Sequence, residues 1–470
     1  MLLYHRIVAF FASVLAFFSA ISYAFGNGPA DRGEWLLEGI PAFCAGIYSS
    51  ALYNTGTGLD HERISSETPE IDPAFSYMQL ISRTTKRDVK NYLAVLAENG
   101  YAETFRGSIE DNEAYGYEKD GSRVYVYFNA YSGETRVIDD CCNTVSLADF
   151  SYCETVSGEA AQPGVYQFSY PYTDAEHPDE TIYGNSGMMY IILLSDGKIV
   201  IIDGGEYKHS TDKNTAELYR FLRELTGNDG SSPVEIALWY CTHCHSDHMY
   251  LFNKLLHDYH DKLVVERLMF NFQPDSIIEK EASVTDLLHF IERYCPDAAY
   301  VKARSGYSFR LQDAFFEVLY VQEDAVDAKD ASWSYTNAND VSAVLRVTVG
   351  GKTFLFLGDS NQIPAEILLK KYTWVTLRAD VLQAAHHLYN DLPRLYKVIR
   401  PKYVFCPQSK LRAETEPMAA YETLRRLVPQ PQFFFAGDGI VYGLTPMKKG
   451  GFLISETPVD CVPYDGTYNC

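Results

Sequence analysis

Two rhythms of apolar and polar positions run along this chain, and they divide it. Between Thr85 and Gly100 the apolar residues Val89, Tyr92, Leu93 and Leu96 recur at i, i+3, i+4 and i+7, which predicts a helix. Thr85 followed by Asp88 is a capping signal at its start, and Gly100 a stop at its end. Arg123–Asn129 alternates with a period of two, and Ser132-Gly133 turns it toward a second strand at Thr135–Ile138. Residues 33–150 therefore read as a small α+β domain.

Ser151–Gly164 is richer in small and polar residues and reads as a linker. Beyond it the strands are continuously apolar. Met188–Leu194 and Ile199–Ile202 are joined by Asp196-Gly197, a hairpin signal, and Asp203-Gly204-Gly205 ends the second of them. Asn214–Leu225 has helical spacing with Asn214 as a capping candidate, and Val234–Tyr240 reads as a buried strand. Helix-like stretches and strands then alternate through Val284–Tyr294, Phe315–Val321, Ser342–Val349, Thr353–Leu357, Ala365–Lys371 and Val381–Ala384. Strands separated by helices imply sheets covered by helices on their outer faces. This second domain spans 160–457, and 458–470 forms a C-terminal tail.

Composition adds a compartment and removes some partners. Arg6, the apolar run Ile7–Ile21 and the small residues before and at Ala24 have the layout of a secretory signal peptide, residues 1–24. The expected localisation is secreted or extracytoplasmic; the alternative is an uncleaved N-terminal anchor, the run being short for a membrane span. Ten cysteines suit an oxidising compartment. Disulfides are expected among Cys44, Cys141, Cys142, Cys153, Cys461 and Cys470, with Cys295 and Cys406 as buried thiols. A formal charge of −22 disfavours nucleic acid and anionic lipid. The expected partner is a small-molecule substrate; nothing in residues 33–150 identifies a protein partner.

The chemistry concentrates in His243-x-His245-x-Asp247-His248, at the end of the strand Val234–Tyr240, in a chain with only 12 histidines. In an extended segment residues two apart point the same way, so His243 and His245 can share one ion. Asp247 and His248 follow on the turn and can reach a second. Imidazole with carboxylate suits zinc first, with manganese or iron as alternatives. Cys241-x-x-Cys244 could be half of a zinc ribbon or a redox pair, but the chain has no second C-x-x-C.

This cluster resembles the signature of the metallo-β-lactamase superfamily. Further matches are Asn185-Ser186 before the hairpin ending in Asp203-Gly204-Gly205, Asn339-Asp340-Val341-Ser342, Phe354–Asp359, and Ala379-Asp380-Val381-Leu382 before His386-His387. They span about 165–445 and are most similar to the soluble hydrolase domain of bacterial competence (DNA-uptake) channel proteins and its secreted relatives. The resemblance implies an αββα sandwich with the site along one edge of the two sheets. It implies that His243 and His245 bind a first metal, that Asp247, His248 and one of His386/His387 bind a second, and that Asp359 bridges them. Asp203 would orient ligands from behind. His386, first off its strand, is preferred as the ligand, leaving His387 to face the substrate and protonate the leaving group.

Two departures stand out. Most of the superfamily has another histidine between the cluster and the bridging aspartate; His257, His260 and His289 all fall in polar, helix-like contexts. Leu388 stands where relatives usually have glycine. Read without the resemblance, Asp359 could be a helix cap, Asp203 a turn residue, and Asn339 and Asp340 strand-entry turn residues. The expected function is an exported metal-dependent hydrolase using one or two divalent ions and a metal-activated water, with Asp247 and His387 in catalytic roles. Its substrate would be a small phosphoester or phosphodiester. The alternatives are a lactone or other ester hydrolase of the same superfamily, or a non-catalytic binding protein stapled by metal.

Overall fold

The computed structural model describes residues 32–55, 76–140, 143–171, 187–272, 284–326, 337–416 and 418–459. The expected signal segment, Asn185-Ser186, Cys141, Cys142, Cys461, Cys470 and the tail from 460 lie outside the described residues.

The N-terminal sheet runs through Tyr77–Ser82, Ala102–Ile109, Asn112–Lys119, Ser122–Asn129 and Glu134–Asp139, all antiparallel. Its helix, Lys86–Glu98, starts where the pattern predicts. The Thr85 hydroxyl accepts from Asp88 N, and the Asp88 carboxylate accepts from Thr85 N at 2.9 Å. Val89, Tyr92, Leu93 and Leu96 bury against Tyr115, Val124, Val126 and Val137 on one face of the sheet. The opposite face presents Met78, Leu80, Tyr125 and Tyr127 to the core of the rest of the protein.

That core lies between two further sheets. One has the strand order Ala299–Lys302, Arg267–Phe270, Val234–Tyr240, Ile199–Asp203, Met189–Leu193, Gly164–Gln167, Ile440–Pro446, Phe452–Pro458. The other runs Ser308–Leu311, Ala314–Tyr320, Val344–Val349, Lys352–Phe356, Val381–Gln383, Tyr403–Cys406, Gln432–Phe435. Tyr190, Ile192, Val200, Ile202 and Leu238 of the first meet Val318, Leu345, Phe354, Phe356 and Phe405 of the second. Alternate residues of each strand face outward, where helices cover them. Asp212–Thr226, Tyr250–Tyr259 and Val284–Tyr294 cover the first sheet. Gln362–Lys371, Pro393–Ile399 and Ala419–Arg425 cover the second. The layer order is the αββα sandwich that the resemblance implies.

One expectation needs correction. The cap of Asp212–Thr226 is Thr211, whose hydroxyl accepts from Asn214 N at 3.2 Å; Asn214 is buried and donates to His209 O. Among the described residues no disulfide forms. Cys44 and Cys153 are exposed thiols, and Cys241, Cys295 and Cys406 are buried ones; the other expected partners, Cys141, Cys142, Cys461 and Cys470, lie outside the described residues.

Buried charge ties the N-terminal sheet to the sandwich. Arg136 reaches Asp324 at 2.6 Å, Lys371 reaches the same carboxylate oxygen at 3.0 Å, and Arg304 holds Asp140 at 2.8 Å and also pairs with Glu323. No helix among the described residues is long and apolar enough to cross a membrane.

Candidate metal centre

Three strands end side by side and deliver the site. Val234–Tyr240, parallel to Ile199–Asp203, runs into Cys241–His248. Lys352–Phe356 leads to Gly358-Asp359, and its parallel neighbour Val381–Gln383 leads to His386-His387. The loops touch closely. A side chain on Gly358 would lie 3.0 Å from the Thr242 side chain, and its φ of +54° is in the left-handed region, so glycine is required on both counts. Gln383 braces this crossing: its side-chain oxygen accepts from the N–H groups of Leu357 and Gly358, both at 2.7 Å.

Six side chains gather into two groups: His243, His245 and Asp359, and Asp247, His248 and His387. Within the first, His243 Nε2 is 3.0 Å from His245 Nδ1 and 3.7 Å from Asp359 Oδ2. Within the second, Asp247 Oδ2 is 3.1 Å from His387 Nε2, and Asp247 Oδ1 is 3.8 Å from His248 Nε2. Asp359 Oδ1 faces this second group, 3.3 Å from His248 Nε2 and 3.7 Å from His387 Nε2. Asp359 thus presents one oxygen to each group. Tetrahedral ligands on a zinc ion at about 2.0–2.1 Å stand about 3.4 Å apart, so these spacings fit a metal. The orphaned atoms fit as well: His248 Nε2, His387 Nε2 and Asp359 Oδ1 are buried with no hydrogen bond satisfying them, which buried polar atoms rarely tolerate.

The outer nitrogens are held so that the inner ones stay available. His248 Nδ1 donates to Asp203 Oδ2 at 2.8 Å, and Asp203 Oδ1 in turn accepts from Thr242 N at 2.8 Å and from its hydroxyl at 2.9 Å. His387 Nδ1 donates to Pro407 O at 3.0 Å. In each ring the neutral tautomer then carries its lone pair on Nε2, toward the group.

The preference for His386 beside Asp247 and His248 is corrected: His387 stands there, fully buried. The reason is backbone conformation. His386, His387 and Leu388 have φ of +45°, +50° and +70°, a left-handed run that turns the His387 ring inward and leaves His386 lining the cavity. His387 therefore does not face open solvent as a proton donor. Leu388 sits in this run where glycine would be the unstrained residue, yet it is fully buried in the outer core. Leu388→Gly should relieve about 1 kcal/mol of strain and lose about 3 kcal/mol of packing, a net loss of about 2 kcal/mol. Denaturant unfolding checks it; an equally stable variant would mean that the relieved strain offsets the lost packing in full.

His257, His260 and His289 lie away from the site, the first two beside Tyr294 and the latter two exposed. A cavity of about 490 Å³ opens over the two groups, lined among others by Glu206, Lys208, His245, Asn339, Asp359 and His386. Glu206, Lys208 and Asn339 were not anticipated here. The only signal was position: Glu206 directly follows Asp203-Gly204-Gly205, and Asn339 belongs to a segment the resemblance already matched.

The electrostatics follow from this crowding. Burial lowers the pKa of His243 well below the ordinary histidine range, helped by His248 and His245. Burial also works against the charged form of His248, but Asp359, Asp203 and Asp247 outweigh it and raise its pKa; His387 is raised by Asp359 and Asp247 against the same burial cost. For Asp359 and Asp247 burial favours the neutral acid, and the histidines overcome it and hold both ionised. Burial first and Asp247 second push Glu206 up to about 7.

A pH dependence follows. His248 and His387 must release protons to bind an ion, whereas His243 is already neutral. Affinity at the second position should fall about 10-fold per pH unit for each proton displaced, starting above the usual histidine pKa of about 6.5. Calorimetry in buffers of different ionisation enthalpy counts the protons; metal uptake that releases none between pH 6 and 8 would contradict this reading.

No family model matches the chain. No curated protein matches it. Among solved structures it is similar to the metallo-β-lactamase fold protein YhfI from Bacillus subtilis, with 11% identity over 63% of this chain and 100% of that one, at a TM-score of 0.36. It is also similar to CmlA, a diiron β-hydroxylase from Streptomyces venezuelae, with 11% identity over 58% of this chain and 52% of that one, TM-score 0.32. MEM-A1, a subclass B3 metallo-β-lactamase isolated from a soil metagenome library, gives 13% identity over 60% and 96%, TM-score 0.28. The chain spans about half the length of CmlA. These are likenesses of fold; the αββα reading stands on the layers and strand ends described above.

Proposed function

We propose that this chain is an exported metal-dependent hydrolase acting on a small phosphoester or phosphodiester. The observation that carries the reading is Asp359, whose two oxygens face two separate groups of His and Asp donors beneath an open cavity. His243, His245 and Asp359 would hold one divalent ion, and Asp247, His248, His387 and Asp359 the other. Zinc suits these donors best, with manganese or iron as alternatives. Bound ions would supply a water of lowered pKa and a positive hold on the group being cleaved.

The chain's own residues do the rest. Asp203 and Pro407 O fix the rings of His248 and His387. Asp247 lines the cavity and is placed to accept a hydrogen bond from a water there. Glu206 and Lys208 line the cavity wall, where Lys208 offers positive charge to an anionic substrate. Motif similarity to competence-type hydrolase domains supports a phosphoester over a lactone. A cavity of about 490 Å³ and a charge of −22 support a small substrate over a polynucleotide. Export rests on the pattern in residues 1–24.

The test is metal-restored turnover of bis-p-nitrophenyl phosphate, beside a lactone and p-nitrophenyl acetate, with anisotropy of labelled DNA. Phosphodiester turnover dependent on added zinc, without DNA binding, is expected. Preference for the lactone or acetate moves the substrate class, submicromolar DNA binding overturns the small-substrate reading, and metal binding without any turnover favours a stapled binding protein.

A further inference from the structure

We infer that His386 is the third histidine of the first metal position, so that the consecutive pair His386-His387 serves both ions, one each. This rests on the proposed two-ion site and concerns which residues complete it. The first position otherwise has only His243, His245 and Asp359, and among the described residues none of His257, His260 and His289 approaches it.

His386 does. Its Nε2 is 3.7 Å from Asp359 Oδ2, the same oxygen that stands 3.7 Å from His243 Nε2. His387 Nε2 instead faces Asp359 Oδ1 at 3.7 Å. The two neighbouring rings therefore address opposite oxygens of the shared carboxylate. Their centroids are 6.1 Å apart and their planes 69° from parallel, so they flank the site rather than stack. Consecutive residues in an ordinary strand would point to opposite faces of the sheet, and only one ring could reach the site. The left-handed run at His386 (φ 45°, ψ 56°) and His387 (φ 50°, ψ 36°) brings both to it. Non-glycine residues held in that region cost about 1–2 kcal/mol each, a strain that clusters at functional sites.

Asn339 Nδ2 makes a long hydrogen bond of 3.4 Å to His386 Nε2, which an ion held through Nε2 would replace, while His386 Nδ1 and Asn339 Oδ1 are buried without a hydrogen-bond partner. His386 stands just outside the compact triad of His243, His245 and Asp359. Its partly exposed ring has room on the cavity side to swing in.

The experiment titrates metal-free protein with Co²⁺, following heat and visible absorption, for wild type, His386→Asn, His387→Ala, His243→Ala and the His243→Ala/His386→Asn pair. Asparagine tolerates the left-handed conformation, so the first variant keeps the backbone, which circular dichroism checks. The loss of a direct ligand should weaken one of the two binding steps about 100-fold or more, at least what disturbing a supporting residue costs. That step should be the one lost in His243→Ala, with a changed absorption band, while the step lost in His387→Ala stays within about 3-fold. In the pair, His386→Asn should add nothing. Two unaltered affinities and spectra in His386→Asn would overturn the assignment and leave His386 a substrate contact; weakening of the His387-dependent step would also overturn it. Wild-type protein that binds no Co²⁺ would sink the two-ion site itself, a distinct outcome, and none of these readouts depends on turnover.

Discussion

Asp359→Ala is expected to abolish binding at both metal positions and to lower turnover by about three orders of magnitude. The carboxylate is the one group in both donor sets, with Oδ2 3.7 Å from His243 and Oδ1 3.3 Å from His248. The first position would keep its histidines but lose its only anionic ligand, the second would keep Asp247, His248 and His387 but lose the shared one, and the negative charge that offsets two divalent ions in a buried site would fall. Several kcal/mol of metal-held transition-state stabilisation correspond to about 1,000-fold in rate. Metal analysis by mass spectrometry and steady-state rates check this, with thermal unfolding to show that the variant is folded. Unchanged metal content in a folded variant would make Asp359 a loop cap and no bridge.

The largest effect on stability is expected from Asp324→Ala. Burial pushes the Asp324 carboxyl up, but Lys371 and Arg136 outweigh it and hold it below the ordinary carboxylate range. It accepts from Arg136 at 2.6 Å and Lys371 at 3.0 Å, and the Ser305 hydroxyl also donates to it. Removing it strands two cations in the interior, which costs about 3–5 kcal/mol. Arg136 lies on Glu134–Asp139 of the N-terminal sheet and Lys371 ends Gln362–Lys371 of the sandwich, so the loss falls on their junction. Because the folded-state pKa of Asp324 is depressed, its contribution is present above about pH 4, the ordinary carboxylate range, and is lost as pH falls through the lower folded value. Urea unfolding of both proteins at pH 7 and pH 3 checks sign and size. A deficit below about 1 kcal/mol at pH 7 would show that the junction does not depend on this charge.

What was legible in the sequence is what short-range patterns encode. The spacing of Val89, Tyr92, Leu93 and Leu96 names the buried face of its helix, and the apolar run Val234–Tyr240 names a buried strand to the residue. His243, His245, Asp247 and His248 were legible as one cluster because a single strand end carries them all. The inward ring of the His386-His387 pair was not, since it depends on a left-handed turn that no hydrophobic period marks. Leu388 in place of glycine hid that turn further. Asn214 looked like a cap because it is polar and precedes an apolar stripe; Thr211 holds the position because Asn214 is committed to His209. The buried ion network was invisible for a different reason. Arg136 and Asp324 are 188 residues apart, and Arg304 and Asp140 are 164 apart, so only the folded sheets bring them together. Glu206 and Lys208 join the cavity through the same kind of long-range adjacency.

The most direct measurement is anomalous diffraction from zinc-loaded crystals collected on either side of the zinc edge. Two peaks are predicted, one on each side of the Asp359 carboxylate: the first against His243 and His245, the second against Asp247, His248 and His387. A single peak closed by four protein ligands, or no peak at Asp359, would contradict a bridged two-ion centre.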